Sequence, residues 1–130
     1  MMFPKNPPGR NQHYRDMACG KYCTLVIPGV CCHDPETTVL AHSNRGQDGK
    51  GMGMKADDAV GAVWACHTCH QWLDQGKAPA EEKRQAVLRA MGMMEDELLQ
   101  IAGNILSSAK DRAAAKWALE RIIAAYEKQG

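Results

Sequence analysis

The chain has 130 residues, 45% apolar and 24% charged, with a formal charge of +1 at neutral pH. That length suits one modest domain, and the balanced charge excludes a globally basic polyanion binder, so any contact with nucleic acid must come from local charge. No apolar run approaches the ~20 residues of a membrane-spanning helix, and the polar, proline-containing start is unlike a secretory leader, so a cytoplasmic protein with no membrane contact is expected.

In chain order, the opening "MMFPKNPPGRNQHYRDMACGKYC" carries Lys5, Arg10, Arg15 and Lys21 against Asp16 alone over residues 1–22. Rich in Pro, Gly and Asn and without periodicity, it reads as a flexible basic arm through residue 16. Residues 17–44 hold two β-rich runs, "CTLVIPGVCC" and "ETTVLAH", separated by turn-forming residues, which predicts a small antiparallel element. The segment "RGQDGKGMGMKADDAVGA" over 45–62 contains five glycines and little apolar content, so an exposed loop is expected. Asp57 and Asp58 within it suit a cap of the next turn.

Residues 63–76 pass from "VWAC", read as strand or turn, into a helix "HQWLDQ" that stops at Gly76. Trp64 and Trp72 on either side are expected in the core. Beyond Pro79 three helices are predicted: "PAEEKRQAVLRAMG" ending at Gly92, "EDELLQIAGNILS", and one from Ser108, capped with Asp111 at the appropriate spacing. The last places Leu119, Ile122, Ile123 and Tyr126 on one face. Residues 78–130 carry eight basic and eight acidic side chains, so this part has no net field and reads as packing. The chain thus divides into an arm (1–16), an α+β unit (17–77) and a helical extension (78–130) packed on it.

Six cysteines in a cytoplasmic protein point to metal rather than disulfides. Cys66 and Cys69 form a strict CxxC, whose tight turn lets two sulfurs reach one ion while backbone amides hydrogen-bond to them. Cys23 and Cys31 flank "TLVIPGV" and complete four thiolates, the set that suits tetrahedral Zn²⁺, although Cys19 and Cys32 compete for their places. A chain with one Phe, three Tyr and three Trp gains most from such a staple, because a structural zinc site contributes folding energy on the order of 10 kcal/mol. "CHTCH" also matches covalent haem attachment, a reading that requires export and leaves the first cysteine pair unexplained.

If the cysteines close a zinc site, His42, His67, His70 and Asp74 are left over. His42 ends an extended run at the edge of the loop. His70 and Asp74 lie four apart, on one face of the predicted helix, where such a pair can chelate a hard divalent ion. His67 sits inside the knuckle and is expected to be exposed and inert, as are His13 and His33. Arg45 and Lys55 lie in the glycine-rich loop, where cations can clamp phosphates.

A histidine at a strand end, a loop, then CxxCH opening a helix resembles the HNH or His-Me finger nucleases. More closely, "GKYCTLVIPGVCCHDPETTVLAH", "GMGMKADD" and "ACHTCHQWLD" resemble the phage and prophage proteins of the YbcO-type nuclease family, over roughly residues 17–76. The resemblance implies a small zinc-stapled ββα-metal core, with Cys23, Cys31, Cys66 and Cys69 on a structural zinc. It also implies His42 as the general base and His70 as ligand of a catalytic Mg²⁺ or Mn²⁺. Imidazole, with an ordinary pKa of about 6.5, suits proton abstraction near neutrality, and the ion would offset charge on the phosphate.

Two departures stand out. The middle Asn of the HNH pattern is missing, with Gly61 near its place and Asn44 or Asp58 as substitutes. Ala41 occupies the position of a frequent metal ligand, which leaves Asp74, then Asp58, to supply the missing contact. The expected function is metal-dependent endonucleolytic hydrolysis of DNA. The competing expectation is a zinc-knuckle module that binds nucleic acid or protein without chemistry, and a homodimer through the helical extension would present two sites to two strands.

Overall fold

The computed structural model describes residues 9–43 and 57–129. Among these, the order is α1 (Gln12–Asp16), a 3-10 turn (Pro35–Thr37), β1 (Val39–His42), β2 (Ala62–Ala65), α2 (His67–Gln75), α3 (Ala80–Gly103) and α4 (Ala109–Gln129). The result is an α+β fold with one two-stranded antiparallel sheet. Arg45, Lys55 and Asn44 lie outside the described residues.

The flexible arm expected through residue 16 is corrected over residues 9–16. Asn11 caps α1 by accepting from the Tyr14 backbone N–H at 2.9 Å. Tyr14 is fully buried, with its ring 5.7 Å from that of Trp117. In a chain this poor in aromatic residues, burying one large ring outweighs the local preference of a Pro- and Asn-rich segment for disorder.

The sheet also differs from expectation. β1 pairs not with "CTLVIPGVCC" but with "AVWA", in the register Val39 to Ala65 and His42 to Ala62. "CTLVIPGVCC" cannot stay pleated, because Val26 and Gly29 have left-handed φ values of 42° and 75° and Pro28 stands between them. It forms a knuckle tied to β2, with the backbone N–H and hydroxyl of Thr24 donating to the Trp64 carbonyl at 2.7 and 2.8 Å. All four β2 residues are buried, so no polar alternation marked this strand in advance. Asp58 and Ala59, in the expected exposed loop, are fully buried as well.

Helix α3 packs on β2, α1 on β1, and α2 on both strands. Trp64, in the core as expected, donates its backbone N–H to the Met94 sulfur of α3 at 3.4 Å, and Arg89 of α3 donates to the Leu25 carbonyl of the knuckle at 3.0 Å. The predicted stop at Gly92 is overruled. α3 runs through it, because Ala90, Met91, Met94 and Leu98 are buried on either side, at about 1.5–3 kcal/mol for each large side chain against about 1 kcal/mol for the glycine. Helix α4 begins as predicted, with the Asp111 N–H on the Ser108 hydroxyl at 3.0 Å. Its buried stripe, however, is Ala114, Ala115, Ala118 and Ile122, while Ile123 and Tyr126 stay about half exposed. Alanines let α4 approach α3 and α1 together. No described helix is long and apolar enough to cross a membrane.

Candidate functional site

The two ends of the β1–β2 hairpin carry different chemistry. At the Val39–Ala65 end the chain turns through Cys66 into α2, and the sulfurs of Cys23, Cys31, Cys66 and Cys69 all lie within 4.8 Å of one another. Cys31 and Cys66 are 3.8 Å apart, matching the edge of about 3.8 Å of a tetrahedron with Zn–S bonds of about 2.3 Å. These residues can therefore hold one metal ion. Cys19 and Cys32 are exposed and outside the set.

The knuckle backbone turns toward the cluster. The N–H of Val26 donates to the Cys23 sulfur and that of Ile27 to the Cys69 sulfur, both at 3.4 Å. Left-handed φ at Val26 is what directs two consecutive N–H groups at two different sulfurs. Burial, with a smaller contribution from neighbouring thiols, pushes Cys31 up to about 11, and burial also raises Cys69 strongly. At Cys66 burial acts in the same direction but is outweighed by hydrogen bonds from the Thr68 hydroxyl and the backbones of Cys32 and Cys69, which bring the thiol down to about 5. Four thiolates coexist here only around a cation.

At the other end, His42 closes β1 with its side chain 28% exposed, and its Nε2 lies 2.8 Å from Oδ1 of Asp58, which is 0% exposed. The second oxygen of Asp58 accepts from the Asn11 backbone N–H at 2.8 Å and lies 3.4 Å from Arg15 Nε. The backbone N–H of Asp58 donates to the Gly9 carbonyl at 2.7 Å. A carboxylate only accepts, so Nε2 donates in this contact, and in a neutral ring Nδ1 is then the nitrogen without a proton. Asp58 faces inward with both oxygens engaged.

His70 and Asp74, one turn apart on α2, form a third pair with Nε2 to Oδ2 at 3.1 Å, each side chain 36% exposed. His67 is exposed, with its backbone N–H on Thr37 Oγ1 at 3.1 Å. His13 is paired with Asp111 at 2.7 Å, and His33 Nδ1 lies 3.7 Å from the Cys31 sulfur. Sequence reasoning placed Asp58 in the site as a substitute for the missing Asn or a metal ligand, not as the partner of His42, and did not connect Asn11 or Arg15 to it. The only local signal was an acidic pair late in the glycine-rich loop that follows the histidine.

A model of the family described as "Putative nuclease YbcO" matches residues 12–103. The chain belongs to that family. Its YbcO relatives include "Putative nuclease YbcO" of Escherichia coli strain K12 and its namesake from Enterobacteria phage 82. Each is 43% identical over 61 residues, which is 47% of this chain and 62% of the relative. The chain thus matches somewhat less than two thirds of the length of those curated relatives. A solved structure of "a putative bacteriophage protein" from Escherichia coli K-12 is similar with a TM-score of 0.51 at 31% identity, covering 66% of this chain and 95% of that one.

Proposed function

We propose that this YbcO-family protein is a metal-dependent endonuclease that hydrolyses DNA phosphodiester bonds. In this reading β1, β2 and α2 form an HNH-like ββα core, and α3 and α4 form an extension packed on it. The observation that carries the reading is a partly exposed imidazole held by a fully buried carboxylate, His42 on Asp58. Such a pair fixes the tautomer and leaves Nδ1 as the nitrogen to take the proton of an attacking water.

Asp58 thereby serves as a positioning residue for His42, and the second metal-binding place is left to Asp74. His70 and Asp74 would hold Mg²⁺ or Mn²⁺, an oxygen- and imidazole-binding ion whose charge offsets that of the phosphate when it is bound. The four cysteines would hold a structural zinc that ties the knuckle to the start of α2. Arg45 and Lys55 would supply phosphate contacts.

The test compares wild type with His42→Ala, stripped of adventitious metal and resupplied with Mg²⁺ or Mn²⁺, in nicking of plasmid and single-stranded DNA. Wild type should cut and the variant should lose at least about a hundredfold in rate, with one zinc per chain retained by both. Equal cutting by both would remove His42 from the mechanism. Equal inactivity with zinc in place would favour a binding module without chemistry.

A further inference from the structure

Asp58 has a neighbour that faces the other way. Asp57 Oδ1 accepts from the backbone N–H groups of Ala59 and Val60 at 2.7 and 2.9 Å, closing the turn that leads into β2. Its Oδ2 accepts from Arg121 of α4, through Nε at 3.2 Å and also through Nη2. The Arg121 guanidinium also lies over the Trp117 ring at 5.7 Å, and Trp117 packs against Tyr14 of α1. Gly9, with φ of +82°, passes so close that an added Cβ would stand 2.9 Å from Asp57 Oδ2 and 3.3 Å from Arg121 Nη2. Its carbonyl holds the Asp58 N–H.

We propose that α4 is a positioning element for the His42 site, with Arg121 acting through Asp57 on the turn that carries Asp58. The consecutive carboxylates share one short backbone, so fixing Asp57 from α4 fixes where Asp58 can meet the imidazole. Two points favour this over simple packing. Arg121 contacts the residue next to the His42 partner rather than the body of the core, and α4 lies beyond the 12–103 span that the family model matches. The α4 side of the device therefore lies outside the part of the chain that the family model matches. It rests on the reading of His42 as the acting group, whereas the ring-resonance arm of its test does not.

The test uses full-length, zinc-loaded protein with two readouts: the histidine ring resonances in ¹⁵N–¹H NMR, which report the His42 tautomer, and kcat and KM for plasmid nicking. Arg121→Ala should shift the His42 ring signals and lower kcat by about ten- to a hundredfold, the scale expected from misplacement of a reacting group, with KM nearly unchanged. Arg121→Lys should recover part of both. Asp111→Asn, which removes the ionic part of the other α4 bridge, at His13, should move neither.

If Arg121→Ala does not fold, Asp57→Asn carries the test, since its amide oxygen still accepts from Ala59 and Val60 while the ionic contact is lost. Unchanged His42 signals in the folded variant, or an equal shift in Asp111→Asn, would overturn the proposal. Should wild type cut no DNA, the nuclease reading falls, and the ring signals still decide whether α4 holds His42.

Discussion

The cysteine end and the histidine end of one four-residue hairpin are stabilised in opposite ways. At the first, four sulfurs converge within 4.8 Å, and the surrounding backbone contributes N–H groups from the knuckle itself. At the second, a single buried carboxylate is held by partners 16, 47 and, through Asp57, 64 residues away. One end is built to gain order from an ion held by its sulfurs, and the other gains it from the rest of the fold. A structural metal centre can therefore persist when the distant helices loosen, while the histidine end cannot, and mutations at the two ends should separate cleanly.

The largest effect is expected at the cysteine end. Cys69→Ala removes a buried sulfur that the other three cannot replace. With zinc-site binding energy on the order of 10 kcal/mol at stake, the variant should lose bound zinc and cooperative thermal unfolding together, as followed by metal analysis and circular dichroism. A variant that kept its melting transition without zinc would show that the hairpin stands without its staple. Next comes Asp58→Asn, which leaves the cluster untouched. It should retain one zinc per chain and lose at least about a hundredfold in nicking rate, because the amide no longer fixes the His42 tautomer. It should also cost about 3–5 kcal/mol of stability, the scale for breaking a buried charged pair, read from urea unfolding. Zinc loss in this variant would erase the distinction between the ends.

The same contrast explains which parts were legible in the sequence. Cys66 and Cys69 announce themselves because their ligand geometry is local, and Cys23 and Cys31 follow by residue type. His42 and Asp58 were each visible, but nothing in "HSNRGQDGKGMGMKADD" says that the loop closes on itself so that its ends meet. β2 could be read only as strand or turn, because "AVWA" is buried on all sides and a run that short without alternation carries no strand signature. Gly92 was misread for the converse reason. A local stop signal was overridden by side chains that α3 buries against β2 and α4. α1 escaped notice because its only anchor of any size, Tyr14, packs on Trp117 of α4.

Acid should distinguish the ends further. At Asp57 burial works against ionisation, but hydrogen bonds from Arg121 and from the backbones of Val60 and Ala59 outweigh it and hold the carboxyl below its ordinary range. A carboxyl whose folded pKa is depressed stabilises fully above its unfolded value, about 3.9, and loses that contribution as pH falls from there through the folded value. The stability difference between wild type and Asp57→Asn should stay constant from neutrality down to that range and narrow only below it, in urea titrations at stepped pH. A difference that faded between pH 7 and 5 would mean that Arg121 does not hold an ionised Asp57.

The smallest expected effect lies in the knuckle, where the cysteine end carries strain. Val26 is β-branched, 38% exposed and left-handed at φ 42°, a conformation that turns the next N–H, of Ile27, toward the Cys69 sulfur. Left-handed backbone costs a branched residue about 1–2 kcal/mol, and the greater entropy loss of glycine on folding returns about 0.5–1 kcal/mol of any gain. Val26→Gly should therefore stabilise zinc-loaded protein by about 0.5–1 kcal/mol, a rise of a few degrees in Tm. Nicking and the His42 ring signals should not change, because the knuckle meets the opposite end of the hairpin. A fall in Tm would mean that the exposed valine packs against more than its backbone geometry implies, and a shift at His42 would join the two ends that the hairpin keeps apart.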